Sequence, residues 1–211
     1  MKKLKLASHN TMTYLPVKQW WLKPFAWMAK CQSKELFDQH KAGAIIYDFR
    51  VKPIIKYDEL SMPYVEWQFG HGLITYKLDK KFHDVYKVFS ALDSYAFKTP
   101  TNVYGRILLE YNKRDAVIEE YFKRLCNYLE TTMIDTKWCG GQTKADWSTI
   151  YNFKNNLPTI VEHYSSMPSN PKWYGIWPWL YAKLTNSKII KKCKNNPEFI
   201  IKGKSLMIDF I

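Results

Sequence analysis

Short runs of apolar residues alternate along this chain with longer stretches in which apolar positions recur at helical spacing. The short runs are rich in β-branched and aromatic residues and predict strands at 3–8, 44–51, 64–69, 103–111, 158–165 and 205–211. The longer stretches predict helices at 78–97, at 114–132 and at 17–42, the last broken at Pro24 and stopped at Gly43. Residues 133–157 carry no pattern that assigns them to either class.

The order of these elements predicts how the strands pair. Strands separated by helices pair in parallel through right-handed crossovers. The chain has 211 residues, 46% of them apolar, which suits a single hydrophobic core. We therefore expect one α/β domain over residues 1–211. Its sheet would be either open and doubly wound or a distorted or abbreviated (β/α) barrel of the TIM type.

Polar side chains follow the predicted strands. Because the carboxyl ends of parallel strands meet at one edge of a sheet, functional groups collect there. Two imidazoles, a guanidinium and several carboxylates at one edge form a candidate acid–base site for a phosphate ester. The residues of this set are His9 and Asn10 after the first strand, Asp48 and Arg50 in the second, His71 after the third, Glu110 in the fourth and Asp209 in the last.

This set of groups matches the needs of phosphodiester cleavage by a neighbouring hydroxyl. A base must take the hydroxyl proton, an acid must protonate the leaving oxygen, and a cation must balance charge on the phosphoryl oxygens. Histidine titrates near neutral pH and serves in either role when a carboxylate fixes its tautomer. Arginine is planar and permanently charged, which suits it to phosphate. For His9 and His71 individually, a purely structural hydrogen-bonding role stays open.

The charge balance points to a polyanionic partner. The chain carries 32 basic and 19 acidic residues, for a net charge of +13. Nucleic acid, an anionic membrane surface or a phosphorylated substrate would each complement this charge. Only four of the basic residues are arginine, on which base-specific readers depend, so we expect no specific nucleic-acid recognition.

Cysteine spacing and hydropathy indicate the expected compartment. The four cysteines form no C-x-x-C pair, so neither a disulfide framework nor a zinc site is predicted. Residues 1–8 contain too short an apolar stretch for a signal peptide, and no segment approaches the roughly 20 apolar residues of a membrane span. We therefore expect a cytoplasmic location, with any membrane contact peripheral.

Three segments together resemble a known family. They are ASHNTMTY (7–14), GAIIYDFRV (43–51) and FGHGLITY (69–76), each associated with a strand-like run. In this order they resemble the X-region of phosphatidylinositol-specific phospholipase C. That family has a distorted (β/α) barrel whose site is built from an S-H-[DN] motif, a G-x-R-x-x-D-x-R-like strand and an H-G motif. The resemblance is good over residues 1–110 and loose over the remainder.

The resemblance implies a role for each residue of the candidate site. His9 corresponds to the base that activates the inositol 2-hydroxyl, and His71 to the acid that protonates the diacylglycerol oxygen. Arg50 falls where bacterial members place a phosphate-binding arginine and eukaryotic members a calcium-binding acid. This disfavours Ca²⁺ and implies catalysis without a cofactor. Asp48 would orient His71, and Asp209 would orient His9.

Some residues depart from the bacterial pattern. Asn10 follows the first histidine as in the calcium-dependent branch, and Glu110 takes the place of a metal-binding glutamate there. We expect both to contact substrate, but a residual metal site of Asn10, Asp48 and Glu110 stays open. The arginine usual at the start of the second motif is replaced by Ala44 or Ile45.

Six of the nine tryptophans lie in WWLKPFAWMAK (20–30) and WYGIWPWLYAK (173–183). Tryptophan favours the membrane–water interface, and neighbouring lysines favour anionic head groups. In the family, a short helix after the first strand and a late rim loop carry such aromatics. We therefore expect transient contact with a membrane surface, and assign Trp177 and Trp179 to substrate binding. The alternative is that Trp20, Trp21 and Trp27 pack a helix onto the barrel.

The sequence thus favours a phosphodiesterase resembling phosphatidylinositol-specific phospholipase C. It would cleave a phospholipid by His/His acid–base catalysis through a cyclic phosphate. A second interpretation is a metal-dependent glycerophosphodiester or sphingolipid phosphodiesterase on a related barrel. A third is a non-catalytic basic module that binds membrane or nucleic acid. The sequence does not define the oligomeric state.

Overall fold

The computed structural model describes residues 5–78, 82–111, 115–142, 161–163, 178–195, 205–208 and 210–211. Eight strands lie in one sheet: β1 (Lys5–Ser8), β2 (Ala44–Tyr57), β3 (Pro63–His71), β4 (Ile74–Thr75), β5 (Val103–Leu109), β6 (Thr136–Gln142), β7 (Val161–His163) and β8 (Ser205–Ile208). The described α-helices are α1 (Leu36–Lys41), α2 (Val85–Phe97), α3 (Ala116–Thr132) and α4 (Pro178–Lys194).

The parallel part of the sheet has the order β7-β8-β1-β2-β5-β6. β2 is its centre, because its first residues pair with β1 and its middle residues pair with β5. This confirms the predicted mixed α/β fold. The described strands form an open sheet rather than a closed barrel, since β6 and β7 lie at its two ends and none of their described residues pair with each other.

β3 departs from the predicted parallel arrangement. It runs antiparallel to the second half of β2, with Val51 opposite Phe69 and Tyr57 opposite Pro63. The cause is the short connection, because the two strands are joined by a tight turn rather than a helix. In this turn the Asp58 carboxylate accepts hydrogen bonds from the amides at 60 and 62. The hairpin returns the chain to the level of Arg50, and this brings His71 to the same edge as the other strand ends.

Capping residues set the helix boundaries. α2 begins seven residues later than its apolar spacing predicts, because Asp84 caps it by accepting a hydrogen bond from the amide of Lys87. Asp115 caps α3 in the same way. Within the predicted helix at 17–42, residues Trp20–Ala29 form a 3-10 helix that contains Pro24, and only α1 is α-helical. Gly43 ends this region as expected, with a positive φ of 107°.

The core lies between the sheet and helices α2 and α3. Phe49, Phe69, Phe89 and Trp138 form its centre, with ring centroids 4.9 to 5.8 Å apart. These rings anchor β2 and β3 side by side, which fixes the strands that carry the candidate site. None of the described helices is long and apolar enough to traverse a bilayer.

Candidate active site

The carboxyl edge of the parallel strands carries the predicted polar cluster. His9 and Asn10 follow β1 directly, and Asn10 turns the chain with a left-handed φ of 46°. The buried Gln32 side chain fixes this turn by donating hydrogen bonds to the carbonyls of His9 (3.1 Å) and Ile208 (3.0 Å). Gln32 thus joins the ends of β1 and β8, so the backbone that carries His9 is held rigidly.

Arg50 occupies the centre of the cluster. Its Nη2 lies 3.0 Å from Nε2 of His9, and its Nη1 lies 3.3 Å from Nδ1 of His71. The same guanidinium bonds the carboxylates of Asp48 through Nε (3.4 Å) and of Glu110 through Nη1 (3.3 Å). One buried cation therefore contacts both histidines and two of the three acids that the sequence predicted at this edge.

The tautomer of His9 follows from its neighbours. Nε2 lies within hydrogen-bond distance of two donors, the guanidinium of Arg50 and the side-chain amide of Asn10 (3.2 Å). Both groups donate, so Nε2 must accept and the ring proton belongs on Nδ1. His9 therefore presents a basic nitrogen to the centre of the site.

His71 is held by Glu110. Nδ1 of His71 lies 3.3 Å from Oε1 of Glu110, and the amide of Gly72 donates to the same oxygen at 3.0 Å. A carboxylate only accepts, so the contact with Glu110 places a proton on Nδ1 and leaves Nε2 for exchange with a ligand. The 3.3 Å approach of the Arg50 guanidinium to the same Nδ1 is then a contact between two donors rather than a hydrogen bond. The prediction that Asp48 orients His71 is wrong in this respect, because the hairpin places His71 beside the end of β5 instead.

Asp48 is the fully buried carboxylate partner of Arg50. It accepts the amide hydrogen of Asn10 at 3.1 Å, while Arg106 approaches its other oxygen at 3.5 Å. Burial alone would raise the pKa of Asp48, but the charges of Arg106, Arg50 and His9 and the Asn10 hydrogen bond hold it below its usual value. Asp48 is therefore an ionised partner of two arginines.

Arg50 and Glu110 each shift the pKa of the other group in the direction that favours its charged form. Burial acts to lower the pKa of Arg50, but Asp48 and Glu110 raise it above the usual value. Burial likewise acts to raise the pKa of Glu110, but the His71 hydrogen bond, the charge of Arg50 and the Gly72 amide lower it to about 2. The guanidinium and the carboxylate are therefore both charged at neutral pH.

Arg50 and His9 contact the three residues of the residual calcium site. Of its three candidate ligands, Asp48 and Glu110 are both bonded to the guanidinium of Arg50, which lies between them. The side-chain amide of Asn10 points its nitrogen at His9 and at the sulfur of Cys31 (3.3 Å). Among the residues that the structure describes, no group of three His, Cys, Asp or Glu side chains is arranged to hold a metal ion.

Sequence reasoning missed several residues around the site. Arg106 is buried within β5 and reaches Asp48, and Cys31 and Gln32 contact the loop after β1. Thr11 accepts a hydrogen bond from the backbone amide of Asp48 at 2.9 Å. Arg106 had a sequence signal, since it is the only charged residue in the otherwise apolar run VYGRILL.

Two predicted residues, Asp209 and Trp177, lie outside the described residues. Trp179 stands in the first turn of α4 and is exposed. Trp20, Trp21 and Trp27 are also exposed, which contradicts the alternative that they pack a helix onto the sheet. Leu73, after His71, is a further large apolar side chain exposed near this edge, and Leu60 and Met62 are exposed in the β2–β3 turn at the far end of the hairpin.

The fold resembles one class of solved structures. The phosphatidylinositol-specific phospholipase C from Listeria monocytogenes superposes with a TM-score of 0.63 at 15% sequence identity, covering 99% of this chain and 88% of that chain. The S. aureus phosphatidylinositol-specific phospholipase C superposes with a TM-score of 0.57, also at 15% identity, covering 100% and 87%. This confirms the predicted resemblance at the level of the fold. No family model and no curated protein matches the sequence.

Proposed function

We propose that this protein is a phosphodiesterase that cleaves a phospholipid by attack of a hydroxyl neighbouring the phosphate. The observation that carries the proposal is the guanidinium of Arg50, which lies 3.0 Å from Nε2 of His9 and 3.3 Å from Nδ1 of His71. A phosphoryl group bound to this guanidinium is within reach of both rings. The fold shared with two phosphatidylinositol-specific phospholipases C supports the same reaction.

The proposed reaction divides the proton transfers between the two histidines. Nε2 of His9 takes the proton of the attacking hydroxyl as the new O–P bond forms. The bond from phosphorus to the diacylglycerol oxygen breaks, and that oxygen takes the Nε2 proton of His71, which enters the step as the imidazolium and leaves it with a proton on Nδ1 only. The products are a cyclic phosphate and diacylglycerol. Glu110 stabilises the protonated form of His71 through its hydrogen bond to Nδ1.

Arg50 supplies the positive charge of the proposed transition state. Its Nη2 donates to Nε2 of His9 and so occupies the basic nitrogen. A phosphoryl oxygen is a better acceptor for the guanidinium than a neutral ring nitrogen. Phosphate binding would therefore draw the guanidinium away from Nε2, and the attacking hydroxyl would replace the Asn10 amide, the other donor to this nitrogen. Because the sequence resemblance puts this arginine where calcium-dependent relatives have a calcium-binding acid, we propose catalysis without a metal.

A membrane surface is the proposed site of action. Trp20 and Leu73, exposed by 77% and 79%, lie on segments that follow β1 and β3. Leu60, exposed by 83%, lies in the turn beyond β2. The segments with Trp20 and Leu73 follow the strand ends that carry the catalytic cluster, so a bilayer that buries them would lie close to the site. The S. aureus phospholipase, which shares this fold, binds membranes.

Vesicles of phosphatidylinositol, incubated with the protein with and without a chelator, test the proposal. Phosphorus NMR should detect a cyclic inositol phosphate under both conditions, and the His9→Ala variant should give none. Activity that disappears with chelator would favour the metal-dependent phosphodiesterase. Binding that weakens steeply with salt, without hydrolysis of any phospholipid, would favour a basic binding module.

A further inference from the structure

A second cation, Lys52, stands beside the candidate site. It lies two residues beyond Arg50 on the same side of β2, because alternate residues of a strand share a face. Its ammonium donates a hydrogen bond to the carbonyl oxygen of Gly72. The amide of the same residue donates to Oε1 of Glu110 at 3.0 Å. Gly72 is thus bonded on both sides, by Lys52 and by Glu110.

Two glycines make this arrangement possible. The side chain of Lys52 crosses Gly70, where a β-carbon would lie 2.5 Å from its Cδ and 2.9 Å from its Cε. Any larger residue at 70 would displace the lysine from this course. Gly72 has a φ of 56°, a left-handed conformation that turns its carbonyl and its amide to different partners. The two glycines therefore allow a continuous chain of hydrogen bonds from Lys52 through Gly72 to Glu110.

We propose that Lys52 is a positioning residue for His71, acting through Gly72 and Glu110. The inference rests on the proposed function, in which His71 protonates the leaving oxygen. Oε1 of Glu110 is shared by the Gly72 amide and Nδ1 of His71. If the backbone at Gly72 turns away, Oε1 of Glu110 loses one of these two donors, and only the Arg50 contact to Oε2 and the His71 contact remain to hold the carboxylate. His71 then loses the acceptor that sets its orientation.

The electrostatics of Lys52 agree with a fixed contact. Burial lowers the pKa of Lys52, and the nearby charge of Glu110 opposes this effect.

Lys56 provides a contrast on the same side of the same strand. It forms a 2.7 Å ion pair with Glu66, and both side chains are about half exposed. None of the described contacts of Lys56 involves the site. Its substitution is therefore a matched control for the substitution of Lys52.

Kinetics of three variants test the inference. Lys52→Met should lower kcat by about tenfold while KM stays within about twofold, since a misoriented acid slows the chemical step but not binding. Lys52→Arg should recover most of the rate, because it can donate to the same carbonyl. Lys56→Met should behave as the wild type. A kcat for Lys52→Met equal to that of the wild type, or a loss confined to KM, would overturn the inference.

A measurement that needs no activity separates this inference from the proposed function. The ¹⁵N signal of His71 Nδ1 reports on its hydrogen bond to Glu110 and can be assigned by comparison with His71→Asn. The signal should shift in Lys52→Met and stay in place in Lys56→Met. A shift without any phospholipase activity would retain Lys52 as a positioning residue and reject the proposed reaction. An unchanged signal would reject the role of Lys52, whether or not the wild type cleaves phospholipid.

Discussion

The depressed pKa of Glu110 predicts a measurable dependence of stability on pH. The carboxyl titrates at about 2 in the folded protein against 4.5 as its ordinary value. A group with a lowered pKa stabilises the folded state above its unfolded pKa, and this contribution is lost as the pH falls through the folded pKa. At 1.36 kcal/mol per pKa unit, ionised Glu110 contributes about 3 kcal/mol near neutral pH, of which about 2 is lost between about pH 5 and 3.

Glu110→Gln removes this titration and keeps the shape of the side chain. Urea unfolding followed by tryptophan fluorescence gives the free energy of unfolding of both proteins at each pH. The difference between wild type and variant should be largest near neutral pH and should shrink by about 2 kcal/mol on acidification to about pH 3. Glu66→Gln, which removes only the exposed ion pair with Lys56, should show no such change. A pH-independent difference for Glu110→Gln would refute the assignment of Glu110 as the ionised partner of Arg50 and His71.

The remaining predictions concern catalysis, membrane binding and the turn after β3. His9→Ala and His71→Ala should each lower turnover of phosphatidylinositol about a thousandfold or more with unchanged circular dichroism, and full activity in either would exclude its acid–base role. Arg50→Lys should lower kcat by about a hundredfold, because an ammonium cannot reproduce the four contacts of the guanidinium; an active variant would show that point charge alone suffices. Trp20→Ala should weaken vesicle sedimentation about tenfold and leave turnover of a soluble phosphodiester unchanged, whereas an equal loss with both substrates would point to misfolding. Gly72→Ala should cost about 1 kcal/mol in urea unfolding from its left-handed φ alone, since no atom lies within 4 Å of the added β-carbon.

The parts of the fold that the sequence predicted are those that local pattern determines. β5 was predicted because its residues are buried on both faces and read as a continuous apolar run. The extension of β2 past Val51 was missed, because these residues pair only with β3 and their exposed side chains break the buried pattern. β6 was missed for a related reason, since its sequence TKWCGGQ includes two glycines, which strands disfavour.

The proximity of His9, Arg50 and His71 was predictable because each lies where a strand reaches one edge of the sheet. The pairing of acids with histidines was not, because it depends on where the β2–β3 hairpin delivers His71 relative to the end of β5. A parallel third strand would have suited an interaction with Asp48, but the antiparallel return places His71 within 3.3 Å of Glu110. Strand order can be inferred from pattern, whereas the choice between two nearby carboxylates requires coordinates.

The balance of buried charge explains why Arg106 matters to the proposed reaction. Arg50 faces two carboxylates, so on its own it would hold little positive charge for a phosphoryl group. Arg106 lies opposite Asp48 in the register of β2 and β5 and approaches its second oxygen at 3.5 Å. With Asp48 shared between two guanidinium groups, the four charges sum to zero before an anion enters. The attraction for phosphate at Arg50 therefore depends on an arginine buried behind it, which forms no part of the catalytic motifs.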